Sequence, residues 1–180
     1  MNCWKSINIH RDMEQKRLNI LSVIIAVLSF IIFYLLYTRI HQHSVIIEIG
    51  LIPMLVLLGI MPSLHRLVHF FFLKLVSRQM KIAVYFTQWY RPRVKIKGQI
   101  RTTKRNLIIA LFAPTLLVTL PLLAFAWLIS SIFVYCLILA SVNIGLSIKD
   151  YIQMERLLKA PPHSFVESDG TNLDILISRG

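Results

Sequence analysis

The chain has 180 residues, of which 56% are hydrophobic and 16% charged, and its mean hydropathy is +0.66. That balance excludes an ordinary soluble domain, in which about a quarter of the residues carry charge. Twenty lysines and arginines against eight acids give a formal charge of +12; without any signature of a nucleic-acid fold, this bias excludes nucleic acid and points to membrane orientation and anionic lipid.

The leading segment carries Lys5, Arg11, Lys16 and Arg17, and an apolar run of 20 residues follows from 18 to 37. The run continues into Thr38-Arg39-Ile40-His41 with no small-residue cleavage site, so it is expected to be a retained span rather than a secretory signal. Cys3 and Cys136 have neither the spacing nor the depth for a disulfide or a cysteine metal site and are expected as free thiols, Cys136 serving packing. His41 and His43, at i and i+2, do not share a helical face and are expected to be solvated. His10 and His163 have no visible ligand partners and are expected at the surface.

A second apolar run covers 45–73 and contains Pro53 and Pro62. As one helix its extent to Leu75 would exceed a bilayer core of about 30 Å, so a kink or a new helical turn is expected at Pro62. The third and fourth spans are expected at 107–127 and 129–148, in a stretch without charge before Lys149, with the reversal between Trp127 and Ser131. Pro114 and Pro121 predict a bent third span. Ser130 and Ser131 suit helix packing rather than nucleophilic chemistry.

Between the second and third spans, the insertion 74–106 carries ten lysines and arginines and no acid. The positive-inside rule makes this segment cytoplasmic, and four spans then put both termini on that side of the cell membrane. Within it, "MKIAVYFT" and "RVKIKGQI" flank "QWYRP" and predict a β-hairpin, whose cations would also meet anionic headgroups. Trp4, Trp89, Tyr90 and Trp127 fall near span ends, where such rings anchor a chain in the interface. The tail 149–180 starts as a helix that Pro161 and Pro162 stop, and is expected to continue as an extended or weakly ordered segment. The fold expected is an all-α membrane protein of four transmembrane helices with a small cytoplasmic β-hairpin insertion between helices 2 and 3, one multi-pass domain over 1–180.

The stretch "PSLHRLVHFFF" places His65 and His69 four residues apart, on one face of a helix, where two imidazoles can grip one zinc ion. A hydrolytic zinc takes a third protein ligand and an open position. Asp150, at the cytoplasmic end of the fourth span, lies at the matching depth, and Asn143 two turns earlier is placed to hydrogen-bond a ligand or an extended peptide. The alternative reading is a non-catalytic network in which neutral histidines are hydrogen-bonded and Arg66 pairs with Asp150 or a lipid phosphate.

With this histidine pair, the insertion "VKIKGQI", the span opening "LIIALFAPTLLVT" and the segment "NIGLSIKDYIQMERLLKAPPHSFVE", the chain from about Ile49 onward resembles a family of bacterial zincin-type membrane metallopeptidases of unassigned function, related in layout to the site-two intramembrane proteases. The resemblance implies His65, His69 and Asp150 as zinc ligands. It also implies a glutamate after the first histidine, where this chain has Arg66. A guanidinium cannot act as general base, and its charge opposes metal binding nearby. Glu48 is expected at the external end, and Glu155 could reach the site only if the tail folded back. The function expected is therefore a pseudoenzyme that binds a membrane-proximal peptide or membrane-protein partner; the alternatives are an active zinc metallopeptidase and a scaffold bound to anionic lipid.

Overall fold

A helix that is apolar on every side has no face to turn to water, and the first helix, α1 (Gln15–Ile40), is of that kind. Ile20, Val23, Ile24, Val27, Leu28, Ile31 and Ile32 all lie exposed along it. The computed structural model describes residues 2–7, 15–41, 47–76, 82–85, 93–96, 100–161, 164–168 and 173–177. Three helical segments, Lys16–Ile40, Leu51–Leu75 and Lys104–Leu128, are long and apolar enough to cross a membrane, and a fourth qualifies if the bent pair Ser130–Leu146 and Ile148–Leu158 is one span.

The second helix, α2 (Leu51–Val76), starts six residues later than the apolar run. Gly50, at φ 86°, takes the left-handed backbone that the turn into the helix requires. Pro53 falls in the first turn, where amide hydrogens have no intrahelical partner, so its missing donor costs nothing. Pro62, where a kink or a new helical turn is expected, lies inside the helix, which continues past it to Val76. A proline inside a helix removes one backbone donor, and the remaining hydrogen bonds can hold the helix through it.

The third expected span is built in three parts: α3 (Lys104–Pro114), a π-helical turn over Thr115–Thr119, and α4 (Leu120–Leu128). Thr103 caps α3 by accepting from the Asn106 amide at 3.4 Å. The chain reverses through Ile129 and a short turn at Ser130–Ile132 into α5 (Phe133–Leu146), as the tryptophan and paired serines predict. The helix expected as the fourth span does not run straight to residue 148. It bends by 44° at Ser147 into α6 (Ile148–Leu158), and Ser147 Oγ donates to the Asn143 carbonyl at 2.9 Å at the bend. Gly145 makes α1 and α5 close neighbours: a Cβ there would meet the Ser22 carbonyl at 2.6 Å and Ala26 Cβ at 2.8 Å.

The chain is not all-α. In the insertion, β2 (Ile82–Tyr85) and β3 (Arg93–Ile96) pair antiparallel with Ile82 opposite Ile96, on the segments expected to form a hairpin. A four-stranded antiparallel sheet lies beyond expectation: β1 (Asn2–Ile7), β6 (Leu173–Ile177), β5 (Phe165–Ser168) and β4 (Ile100–Thr103), neighbours in that order. It unites the leading segment, the end of the insertion and the tail. Side chains of β1, β2, β3 and β6, and with them Trp4 and Cys3, lie outside the described residues, as do His10, His43, Trp89, Tyr90 and His163.

Three apolar clusters stack along the bundle. Leu107, Leu111, Leu157, Ala160 and Val166 join α3, α6 and β5. Met54, Met61, Val68, Ala113, Val118 and Leu139 join α2, the third segment and α5. Tyr37, Ala126, Phe133, Cys136 and Leu137 close the far end, where Cys136 is a buried free thiol. His41, expected to be solvated, packs there: its ring stacks on Tyr37 at 4.4 Å and meets Trp127 edge-on at 4.7 Å. Neutral imidazole is an aromatic surface, and the bundle end offers it two rings.

Candidate metal centre

Helical spacing brings His65 and His69 to one side of α2, and the bend at Ser147 swings the first turn of α6 toward them. His65 Nε2 and His69 Nε2 each lie 3.1 Å from Asp150 Oδ2 and 3.2 Å from each other. These three side chains form a group able to hold a metal ion. Nitrogen and oxygen ligands on one tetrahedral zinc, bound at about 2.0–2.1 Å, sit roughly 3.3–3.4 Å apart. The observed spacing lies within a few tenths of an ångström of that.

The protonation of the rings follows from their other nitrogens. His69 Nδ1 lies 2.9 Å from the Ala110 carbonyl, which can only accept, so Nδ1 carries the hydrogen. That carbonyl is available because its usual donor, the amide four residues on, belongs to Pro114, which has none. His65 Nδ1 lies 3.0 Å from Asn143 Oδ1. The Asn143 amide is oriented by its own nitrogen, which donates to the Pro114 carbonyl at 3.1 Å and to Thr119 Oγ1 at 2.9 Å. Its oxygen must therefore accept from His65. With Nδ1 of each ring carrying a hydrogen, both Nε2 atoms face the same carboxylate oxygen. Three such atoms at this spacing need a proton or a metal ion among them, and a metal ion satisfies all three together.

The π turn contributes to this arrangement. Rewinding over Thr115–Thr119 sends the Leu120 amide back to the Thr115 carbonyl, and the Pro114 carbonyl meets Asn143 from outside the helix. Tyr151 Oη and Thr115 Oγ1, 2.6 Å apart, tie the same turn to α6. Asn143 is completely buried and faces His65, so it has no surface to offer a peptide. Ala110 and Thr119 were not singled out from sequence, and Pro114 only as the cause of a bend; the further signal was the carbonyl that a proline inside an apolar span leaves free four residues earlier.

His65, His69 and Asp150 face a cleft of about 410 Å³ whose other walls include Asn19, Ser22 and Val23 of α1. Arg66 also lines it, exposed, and makes no ion pair among the described residues. The pairing of Arg66 with Asp150, one form of the alternative reading, does not occur here, because Asp150 is shared by the two histidines. Glu48 lies at the opposite end of the bundle: neighbouring Ile47 and Ile49 bond Ser131 and Tyr135 there. Glu155 is exposed and bonded to Lys159 at 2.6 Å.

A family model described as "Putative zincin peptidase" matches residues 57–165. The chain belongs to this family. No curated protein and no solved structure matches it significantly. The matched segment of this zincin-family protein contains both histidines, Asn143 and Asp150, as well as the Pro114 turn that orients them. The first helix, which walls the cleft, lies outside it.

Proposed function

We propose that this zincin-family protein is a multi-pass membrane protein that holds zinc at His65, His69 and Asp150 and uses the cleft to bind a ligand rather than to hydrolyse one. The observation that carries this reading is Arg66, exposed in the cleft at the position of the general base. Zinc, when bound, supplies a Lewis acid. Hydrolysis also needs a group that accepts a proton, and a guanidinium has no acceptor. Asp150 is committed to the histidines, Glu48 lies at the far end and Glu155 is held by Lys159. No other carboxylate lines the cleft among the described residues.

The shared sheet supports the orientation inferred from charge. β1, β4, β5 and β6 come from the leading segment, the insertion and the tail, so an even number of crossings separates each from the next. Four spans with both termini and the basic insertion at the cytoplasmic face of the cell membrane fit that requirement, and the insertion's cations then meet anionic headgroups.

Metal analysis of the purified protein tests the reading first: about one zinc per chain is expected, lost in Asp150→Ala. Arg66→Glu tests the second part. The native protein should leave a membrane-anchored peptide reporter intact while Arg66→Glu cleaves it; cleavage by the native protein would establish an active metallopeptidase with a displaced base and overturn the proposal.

A further inference from the structure

Arg66 and Lys149 give the cleft a chemistry that the zinc ligands alone do not. Arg66 comes from α2, the helix that carries both histidines, and has no carboxylate partner among the described residues. Lys149, in the first turn of α6, is held at the wall by Asn19 Oδ1 of α1, 3.4 Å from Nζ, which leaves donors on the ammonium to spare. Both line the same cleft as His65, His69 and Asp150, and Val23, Pro62 and Leu146 complete an apolar side. One carboxylate thus faces two fixed cations and the positive charge that its own cluster is built to hold. Such a cleft concentrates anions.

We propose that Arg66 and Lys149, beside the His65–His69–Asp150 cluster, form a receptor for a phosphate monoester group. The inference rests on the metal reading for the third positive centre and names the ligand class of that site. The guanidinium fork matches two phosphate oxygens and the lysine ammonium binds as a point charge. A phosphate monoester carries about −1.5 to −2 charge at neutral pH and three terminal oxygens, whereas a peptide's terminal carboxylate brings one charge and two oxygens. Two side-chain cations plus a metal centre are better matched by the former. The apolar wall and the position of the cleft where α1 begins and α5 ends suit either a lipid phosphate or a soluble phosphate ester.

The test uses the full chain in detergent and in nanodiscs. Equilibrium dialysis with radiolabelled inorganic phosphate should show one saturable site in zinc-loaded protein. Arg66→Gln and Lys149→Gln should each weaken it about tenfold or more, with zinc content unchanged as proof that the variants fold. Arg105→Gln, an exposed cation at the start of α3, should leave it unaltered. Nanodiscs carrying phosphatidic acid, compared with phosphatidylglycerol at matched surface charge, identify the source. Arg66-dependent preference for phosphatidic acid supports a lipid phosphate, and phosphate binding without that preference supports a soluble ester. Zinc-loaded protein that fails to bind phosphate, loses it equally in Arg105→Gln, or prefers a peptide with a free carboxyl terminus in competition would overturn the inference and leave the metal site standing. Zinc-free native protein that still binds phosphate through Arg66 would do the reverse.

Discussion

At one end of the bundle Tyr37 lies between Phe133 and His41, with ring centroids 4.1 and 4.4 Å away, and Trp127 closes the stack edge-on. At the other, His65 and His69 sit 4.8 Å apart with their planes at 82°. Both ends bury imidazole among helices, yet the second nitrogen decides the outcome. His41 Nδ1 is buried with no hydrogen-bond partner among the described residues, so that ring acts through its face. His65 and His69 each have Nδ1 fixed by an oxygen, and their Nε2 atoms converge on Asp150. A histidine becomes a ligand when its other nitrogen is held.

The largest difference between the two ends should appear in metal content. His65→Ala removes one of three converging donors and should reduce bound zinc from about one per chain to background, measured by plasma mass spectrometry. His41→Ala should leave zinc unaltered and instead lower stability in detergent by about 0.5–1.5 kcal/mol, the worth of an aromatic contact. Equal zinc loss in both variants would mean that metal content reports folding rather than the site. One step smaller is Asn143→Ala. It frees His65 to rotate and strands the Pro114 carbonyl, so zinc affinity should fall by about 10–100-fold, as outer-shell partners of ligating histidines typically require. Unchanged affinity in a competition titration with a chelator would show that His65 needs no orienting partner.

Much of this end was legible in the sequence because it depends on local periodicity. Spacing at i and i+4 places His65 and His69 on one face whatever the surroundings, and matching depth together with the family resemblance supplied Asp150. The reversal near Trp127 could be read from the interruption of an apolar run. Two kinds of feature could not. The sheet that joins β1 to β6 pairs residues more than 160 apart, such as Asn2 with Ile177, and short strands carry no signal of a partner so distant in sequence. The π turn and the role of Pro114 depend on which carbonyl a neighbouring helix needs, a tertiary fact. Proline in a span predicts a bend, but not that His69 will take the carbonyl it leaves free.

Pro114 therefore supplies a sharper test than any ligand. Pro114→Ala restores an amide donor four residues beyond Ala110, which then competes with His69 Nδ1 for one carbonyl. Removing an interior proline should gain up to about 3 kcal/mol of helix stability, while loosening His69 should cost about tenfold in zinc affinity. Changes of opposite sign in thermal stability of the zinc-free protein and in metal affinity are the expected signature. A parallel rise in both would show that the freed carbonyl plays no part in setting the ligand.

The smallest effect belongs to the aromatic end. Tyr37 is 3% exposed, and its hydroxyl is buried without a hydrogen-bond partner among the described residues. Folding strips that oxygen of water and returns nothing, so Tyr37→Phe removes a desolvation penalty while keeping the ring between Phe133 and His41. Stability should stay level or rise by up to about 1 kcal/mol, read from thermal unfolding in detergent, with zinc content untouched. A loss above that size would mean that the hydroxyl is satisfied and that this end, too, holds a polar network. The contrast with Asn143, buried as deeply but with every polar atom engaged, would then disappear: it rests on buried polar groups being costly when alone and organising when paired.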